Sequence, residues 1–275
     1  MSEISVRAFR RRLQIVRRIT GLNLRARLEY RTEFLLAILN GVLWQASVLL
    51  FMTVLVTRFS GLAGWSSSEV LFITGFRLLA HALYVCFFLN VTYVPVMIRE
   101  GRVDAFLARP LPLLTQVLLN SFNVNALGDL CVAATLFGVA ASTVPLDWTA
   151  PRVCLLVISV AGAVLLEAAI QLLISSAAFR QSETFTLSTW IDELMATFGN
   201  YPTVIFPLVL RALFLSVLPI AFIAYLPASV ILGEQHRSSM TSILGYAAPA
   251  IGLCAFLGAR LIWYRSARAY QGNGG

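Results

Sequence analysis

The apolar residues of this chain fall into long, nearly uninterrupted runs, unlike the short alternating stretches of a soluble domain. Each of six runs approaches the ~20 residues that an α-helix, rising about 1.5 Å per residue, needs to cross about 30 Å of hydrocarbon. We therefore predict an all-α integral membrane protein with six transmembrane helices. Their approximate bounds are 34–56, 70–94, 117–141, 153–178, 204–224 and 242–264.

A basic amphipathic segment precedes the first run. Its apolar residues recur at spacings of three and four, and arginines occupy the other faces of the helix that this spacing predicts. We expect this helix, within residues 1–33, to lie on the inner membrane surface, with its guanidinium groups reaching anionic headgroups. A cleaved signal peptide is disfavoured because the basic stretch is too long and no small-residue cleavage site follows. The apolar positions are Val6, Phe9, Leu13 and Val16.

The arginines also predict orientation, because basic residues that flank spans are retained on the cytoplasmic face. Nine of them lie before the first run. We therefore expect one domain over residues 1–275, with six spans over 34–264, both ends cytoplasmic and a cytoplasmic tail over 265–275. The other arginines on the expected cytoplasmic side are Arg99, Arg102, Arg109, Arg265 and Arg268, and those on the opposite side are Arg58, Arg152 and Arg237.

Two connections carry a helical pattern of their own. Pro219 and Pro227 interrupt the end of the fifth run, and the apolar sequence FIAYLPASVILGE then predicts a short helix at the outer interface. The connection over residues 180–202 has a Ser/Thr-rich start, acidic residues and Trp190. This composition predicts a short helix at the inner membrane surface.

The composition agrees with a lipid environment and excludes several chemistries. Hydrophobic residues make up 59% of the chain and charged residues 12%, against about 45–50% and about 25% in soluble domains. All 21 basic residues are arginine, so a phosphate-binding P-loop and Schiff-base catalysis, which both need lysine, are absent from this sequence. The two histidines and four scattered cysteines match no metal-site spacing. We expect no catalytic residue, metal or cofactor in this chain, and no nucleic-acid partner.

The connection between the second and third runs, VMIREGRVDAFLARPLPLLTQV, combines dense charge with apolar residues at helical spacing. Val103, Phe106 and Leu107 alternate with the charges, and Pro110 and Pro112 end the pattern. This predicts a short cytoplasmic helix with one apolar and one charged face. An ordinary charged turn that anchors two helices is the alternative.

Several of these stretches resemble the type 2 ATP-binding-cassette (ABC) permeases of bacteria. They are REGRVDAFLARPLPLL, then NYPTVIF with LRALFLSVLPIAFIAYLPASVILG, together with the basic start and the six-span topology. The resemblance covers nearly the whole chain and is closest to small stand-alone exporter permeases. It implies a location in the bacterial cytoplasmic membrane, and an ATP-driven complex with two separate nucleotide-binding subunits that bind ATP and Mg. It also implies a second permease, identical or paralogous.

The resemblance further implies that the charged connection is the coupling helix, which seats in a groove of the ATPase subunit. The positions that it maps onto are Arg99, Glu100, Gly101, Arg102, Asp104, Phe106, Arg109 and Pro110.

Polar residues inside the predicted spans form a second set of candidates. An ionised group at the bilayer centre costs a few kcal/mol or more unless it is paired or faces water, so these side chains should point into the bundle. They either line a translocation path or proton relay, or pair between helices, with Arg77 and Arg211 reaching toward the interfaces. The candidates are Asn40, Trp44, Arg77, His81, Asp129, Glu167 and Arg211.

Three functions compete on these grounds. A permease subunit of an ABC exporter fits best. A proton-coupled secondary transporter that uses Asp129 and Glu167 is the alternative, although spans one to three do not repeat in spans four to six. A membrane enzyme has least support, because the sequence has no GxSxG or HExxH motif.

Overall fold

The structure is a computed structural model that describes residues 18, 21–22, 29–58, 64–121, 123–181, 184–233 and 239–270. The predicted N-terminal amphipathic helix therefore lies largely outside the described residues, as do His236, Arg237 and the last five residues.

The described part of the chain is almost entirely helical, as predicted. Three short 3₁₀ turns, Leu89–Val91, Thr203–Ile205 and Ile220–Phe222, join some of the helices. The α-helices of the described part are α1 Arg31–Arg58, α2 Ser67–Phe88, α3 Val94–Arg99, α4 Arg102–Leu107, α5 Leu113–Leu118, α6 Asn125–Thr143, α7 Ala150–Ala177, α8 Phe185–Phe198, α9 Leu208–Ser216, α10 Tyr225–Leu232 and α11 Ser239–Arg268.

Four helical stretches of the described chain are long and apolar enough to cross a membrane: Ser67–Arg99, Asn125–Thr143, Ala150–Ala177 and Met240–Arg268. A fifth is added if the bent pair of α9 with Ile220–Leu232 is counted as one span. The protein is therefore a multi-pass membrane protein by length and composition. The number of six spans stays a prediction.

The predicted continuous third span, 117–141, is wrong. Helix α5 ends at Leu118 and α6 begins only at Asn125. The side chain of Asn90 donates hydrogen bonds to the carbonyls of Leu118, at 3.1 Å, and Ser121, at 2.8 Å. These bonds satisfy backbone groups that a break leaves without helical partners, which is why a break is tolerated here.

The predicted continuous fifth span, 204–224, is also wrong. Helix α9 starts after Pro207 and ends at Ser216, and the chain then bends by 69° into the segment that contains α10. Proline cannot donate a backbone hydrogen bond, so Pro207 and Pro219 fix the two ends of this short helix. The predicted short helix that follows is present as α10, and all eight of its residues are buried.

Helix α8 matches the helix predicted in the 180–202 connection, and its place at the membrane surface stays a prediction. The ring of Phe185 at its start lies 5.8 Å from the ring of Tyr93. Just beyond its end, Asn200 O accepts a hydrogen bond of 3.1 Å from Thr74 Oγ1. The start of α8 therefore lies beside the junction of α2 with α3, and the segment just beyond its end lies beside α2.

Three apolar cores pack the described part of the bundle, and the smallest lies between α2 and α6. The larger core joins α2, α6, α7 and α10, and the core that we call the smaller core joins α3, α4 and α5 to the last turns of α7 and α11. We call the end at the smaller core the arginine end. The arginines at this end include Arg99, Arg102, Arg109, Arg180, Arg265 and Arg268.

Helices α7 and α11 run parallel and meet through glycine. A Cβ atom at Gly252 would lie 2.1 Å from the Gly162 carbonyl oxygen, and one at Gly162 would lie 2.5 Å from Pro249 Cα. Only glycine permits this approach, which holds the two helices in a fixed register and brings both of their carboxyl ends to the arginine end.

Candidate functional site: the inner elbow and the buried ionic cluster

The charged connection forms a sharp elbow at the arginine end, made of α3, Gly101 and α4. The prediction of one short helix across residues 99–109 is wrong in this detail, because α3 ends at Arg99 and α4 begins at Arg102. Gly101 lies between them with φ of 68°, in the left-handed region that glycine adopts without strain. The elbow therefore turns the chain within two residues, Glu100 and Gly101.

The apolar face of α4 packs on the smaller core. Val103 is fully buried and Phe106 is 8% exposed, whereas Leu107 is exposed. The side chain of Gln116 in α5 donates hydrogen bonds of 2.8 Å to the carbonyls of both Phe106 and Leu111. Gln116 was not predicted from the sequence, because a polar residue in an apolar run gives no sign of which distant carbonyls it meets. Gln116 therefore fixes the end of α4 to α5.

The charged face of the elbow is accessible. Arg102 and Glu100 form an ion pair of 2.6 Å, with side chains 42% and 53% exposed. The Arg109 guanidinium lies 5.7 Å from the centre of the Phe106 ring. Arg99 and Pro110 are exposed, and Asp104 is half-buried. The predicted coupling residues thus present a charged outer surface on an anchored apolar base.

A buried ionic cluster joins α2 to α7. Arg77 Nη1 lies 3.4 Å from Glu167 Oε2, and His81 Nδ1 lies 2.5 Å from Glu167 Oε1. Arg77 and Glu167 are 2% and 0% exposed. Two positively charged or hydrogen-bonding partners therefore compensate a carboxylate that would otherwise be costly in this environment. The geometry matches the predicted pairing between helices, and Arg77 does not reach toward an interface.

Helix α8 extends this cluster with Asp192, which sequence reasoning did not select. Gln171, one turn along α7 from Glu167, donates hydrogen bonds to Asp192 Oδ1 at 2.5 Å and to the Ser188 carbonyl at 3.2 Å. Gly199 packs so closely on Arg77 that a Cβ atom there would lie 2.9 Å from Arg77 Nε. Asp192 and Ser188 are four residues apart and therefore lie on one face of α8. This spacing is the sequence feature that could have indicated a shared partner.

The other predicted polar residues form no ion pair with this cluster among the described residues. Asp129 is half-buried on α6, where its carboxylate lies close to Gly41 of α1, and its Oδ1 has no hydrogen-bond partner among the described residues. Asn40 and Trp44 are exposed on α1. Arg211 lies on the short helix α9. The structure thus joins Arg77, His81 and Glu167 in direct contact, and Asp129 lies within electrostatic range of His81.

A polar cleft of about 770 Å³ opens beside the elbow. Its walls come from the start of α1, the junction of α2 with α3, and the break between α5 and α6. Residues that line it include Glu33, Asn90, Tyr93, Arg102 and Asn125. The elbow therefore connects directly to a water-accessible space at the arginine end.

Comparison with curated proteins and with solved structures finds no match. The family model described as ABC-2 family transporter protein matches residues 42–274. That match spans most of the chain and includes both the elbow and the buried ionic cluster. The chain therefore belongs to the ABC-2 family of transporter proteins.

Proposed function

We propose that this chain is the membrane-spanning permease subunit of an ATP-driven exporter whose ATPase is a separate protein. The observation that carries the proposal is the elbow in a member of the ABC-2 family: an accessible charged helix, anchored by Gln116 on a core shared with α7 and α11. The chain has no lysine for a P-loop, so the ATPase and its bound ATP and Mg belong to partner subunits.

The proposed orientation places the arginine end in the cytoplasm of a bacterial cell. Six arginines of the described chain lie at this end, and basic residues flanking spans are retained on the cytoplasmic side. The elbow then faces the cytosol, where an ATPase is found. Six spans, counting α8 with the bent segment after it as the fifth, keep both ends of the domain on that side.

Coupling in this proposal is a rigid-body movement. The ATPase subunit contacts Glu100, Arg102 and the neighbouring charges, and α4 moves with it. Because Val103 and Phe106 pack on the core that contains the ends of α7 and α11, displacement of α4 shifts those helices together. Packed cores switch between discrete arrangements instead of deforming continuously. The translocation cavity between the two permeases therefore opens in one step.

A second permease completes the translocation path in this proposal. Large apolar side chains remain exposed along α1 and α9, including Leu43 at 60%, Trp44 at 59% and Leu208 at 80%. A membrane protein presents such surfaces to lipid or to another membrane subunit. The partner is a second copy of this chain or a related permease.

The test is co-purification followed by charge exchange at the elbow. The chain expressed with its candidate ATPase should retain it on purification and stimulate ATP hydrolysis. Charge reversal in Glu100→Arg or Arg102→Glu should abolish the stimulation. The double exchange Glu100→Arg with Arg102→Glu preserves the 2.6 Å ion pair within the chain. It should remain inactive if these charges contact the ATPase.

Arg268→Glu is the matched control, since Arg268 is an exposed arginine at the same end but outside the elbow. It should leave stimulation unchanged. Normal transport in both single elbow variants, or failure to retain any P-loop ATPase, would contradict the proposed function.

A further inference from the structure

We propose that the cleft between the carboxyl ends of α7 and α11 binds an anionic phospholipid of the cytoplasmic leaflet. The cleft has a volume of about 520 Å³ and is separate from both the elbow and the buried ionic cluster. The inference rests on the membrane orientation in the proposed function. It does not depend on an ATPase.

The headgroup side of the cleft carries two arginines. Arg180 follows the end of α7, and Arg265 lies in the last turn of α11. Both are exposed, and neither has an ion-pair partner among the described residues. Guanidinium groups bind phosphate oxygens in a bidentate manner, so this pair provides a complementary surface for a phosphodiester.

Neutral hydrogen-bonding groups complete the headgroup side. Ser176, Gln181 and Ser266 line the same cleft. No described carboxylate lines it, so nothing in the described lining favours the ammonium group of a zwitterionic lipid. The net charge of the lining selects an anionic headgroup over a neutral one.

The apolar side of the cleft lies further from the arginine end, along the lipid-facing surface of α7 and α11. Leu173, one turn before the end of α7, is 42% exposed, and Ile262 of α11 is 46% exposed. An acyl chain that lies against these residues places its own headgroup at the level of Arg180 and Arg265. The cleft therefore repeats the polarity of a phospholipid, with charge at the membrane boundary and apolar surface further in. This gradient distinguishes a lipid site from a site for free phosphate.

A lipid bound in this cleft would bridge the ends of α7 and α11, which are otherwise held together through Gly162 and Gly252. It would also lie next to the Phe179–Trp263 ring contact, whose centroids are 4.9 Å apart, in the core beneath the elbow. Binding should therefore raise the stability of the folded chain, because a ligand that binds only the native state stabilises it.

The experiment uses the purified full-length chain in a neutral detergent. Binding of phosphatidylglycerol is measured by native mass spectrometry and by the shift in thermal unfolding, with phosphatidylcholine and inorganic phosphate in parallel. Phosphatidylglycerol should bind and raise the unfolding temperature, whereas the other two should not. Each arginine near a membrane surface contributes about a fivefold change in affinity, so Arg180→Gln with Arg265→Gln should weaken binding roughly 25-fold.

Arg268→Gln is the control, since it removes a charge at the same end without altering the cleft. It should bind phosphatidylglycerol like the unmodified chain. If the double glutamine variant does not fold, a photoreactive phosphatidylglycerol with the unmodified chain replaces it, and crosslinks should map to residues 173–181 and 262–266. Equal binding by the double variant, equal stabilisation by phosphatidylcholine or inorganic phosphate, or crosslinks only elsewhere would overturn the proposal. Loss of ATPase retention would affect the proposed function and leave this result unchanged.

Discussion

Arg77 and Glu167 form an ion pair across the contact of α2 with α7, with Nη1 and Oε2 3.4 Å apart and neither side chain more than 2% exposed. His81 contacts the other carboxylate oxygen, and Gly199 of the segment after α8 packs on the arginine. Two helices that are distant in sequence are therefore joined at one buried carboxylate, and the segment after α8 packs on the arginine that pairs with it. This arrangement favours a structural role for Glu167 over the proton-relay role that its isolated position in an apolar run allowed.

Removal of Arg77 should leave the buried Glu167 carboxylate with His81 as its only direct partner, and removal of Glu167 should leave the buried Arg77 guanidinium without its ion-pair partner. We expect Arg77→Met or Glu167→Leu alone to lower the free energy of unfolding by about 3–5 kcal/mol, and the double variant to recover much of that loss. Denaturant unfolding in detergent measures the effect. Equal losses in the single and double variants would show that the pair is not the source of the stability.

Asp129 should not be required for transport. It forms no ion pair with Arg77 among the described residues and lies at the contact of α6 with Gly41 of α1. We expect Asp129→Asn to retain substrate export at all pH values tested in vesicles. A pH-dependent loss of transport in this variant, without loss of folded protein, would support the proton-coupled alternative.

The close approach of α7 and α11 should make Gly252 intolerant of any side chain. Its Cβ atom would lie 2.1 Å from the Gly162 carbonyl oxygen, which belongs to the backbone and cannot move aside locally. We expect Gly252→Ala to lower the free energy of unfolding by about 1–3 kcal/mol. Gly258→Ala on the same helix is the control, because nothing lies within 4 Å of a Cβ atom there. A similar loss in both variants would contradict the proposed helix contact.

The elbow should depend on the backbone freedom of Gly101. No atom lies within 4 Å of a Cβ atom at this position, so its φ of 68° is the only obstacle to a side chain. We expect Gly101→Val to impair stimulation of the ATPase, at a conformational cost of about 1–2 kcal/mol. Gly101→Asn should retain more activity, since asparagine adopts this conformation more readily. Identical activity of the two variants would indicate that the turn is not strained.

Gln116 should act as a positioning residue for the elbow. Gln116→Leu removes both hydrogen bonds to the Phe106 and Leu111 carbonyls while keeping an apolar side chain of similar size. We expect the ATPase to remain bound but its stimulation to fall several-fold, because α4 loses its fixed orientation. Thr115→Val, on the same helix, is the control. Loss of ATPase binding together with stimulation would instead indicate general unfolding.

The sequence by itself determined the membrane environment, the helical class and the approximate place of most spans. Their signals are local: a run of about 20 apolar residues and the arginines at its ends carry this information without reference to the rest of the chain. The same holds for the apolar face of α4, since Val103 and Phe106 are three residues apart and therefore share one side of a helix.

The tertiary structure alone decided which residues meet. The break after α5 exists because Asn90, about thirty residues earlier, satisfies the freed carbonyls. Helix α8 is held because Gln171 binds the Ser188 carbonyl and Asp192, and Thr74 binds the Asn200 carbonyl just beyond its end. Long-range pairs such as Arg77 with Glu167 leave no periodic trace in the sequence. A polar residue in an apolar run shows that a partner is needed to offset the cost of its burial, and only the packing of the helices determines which partner that is.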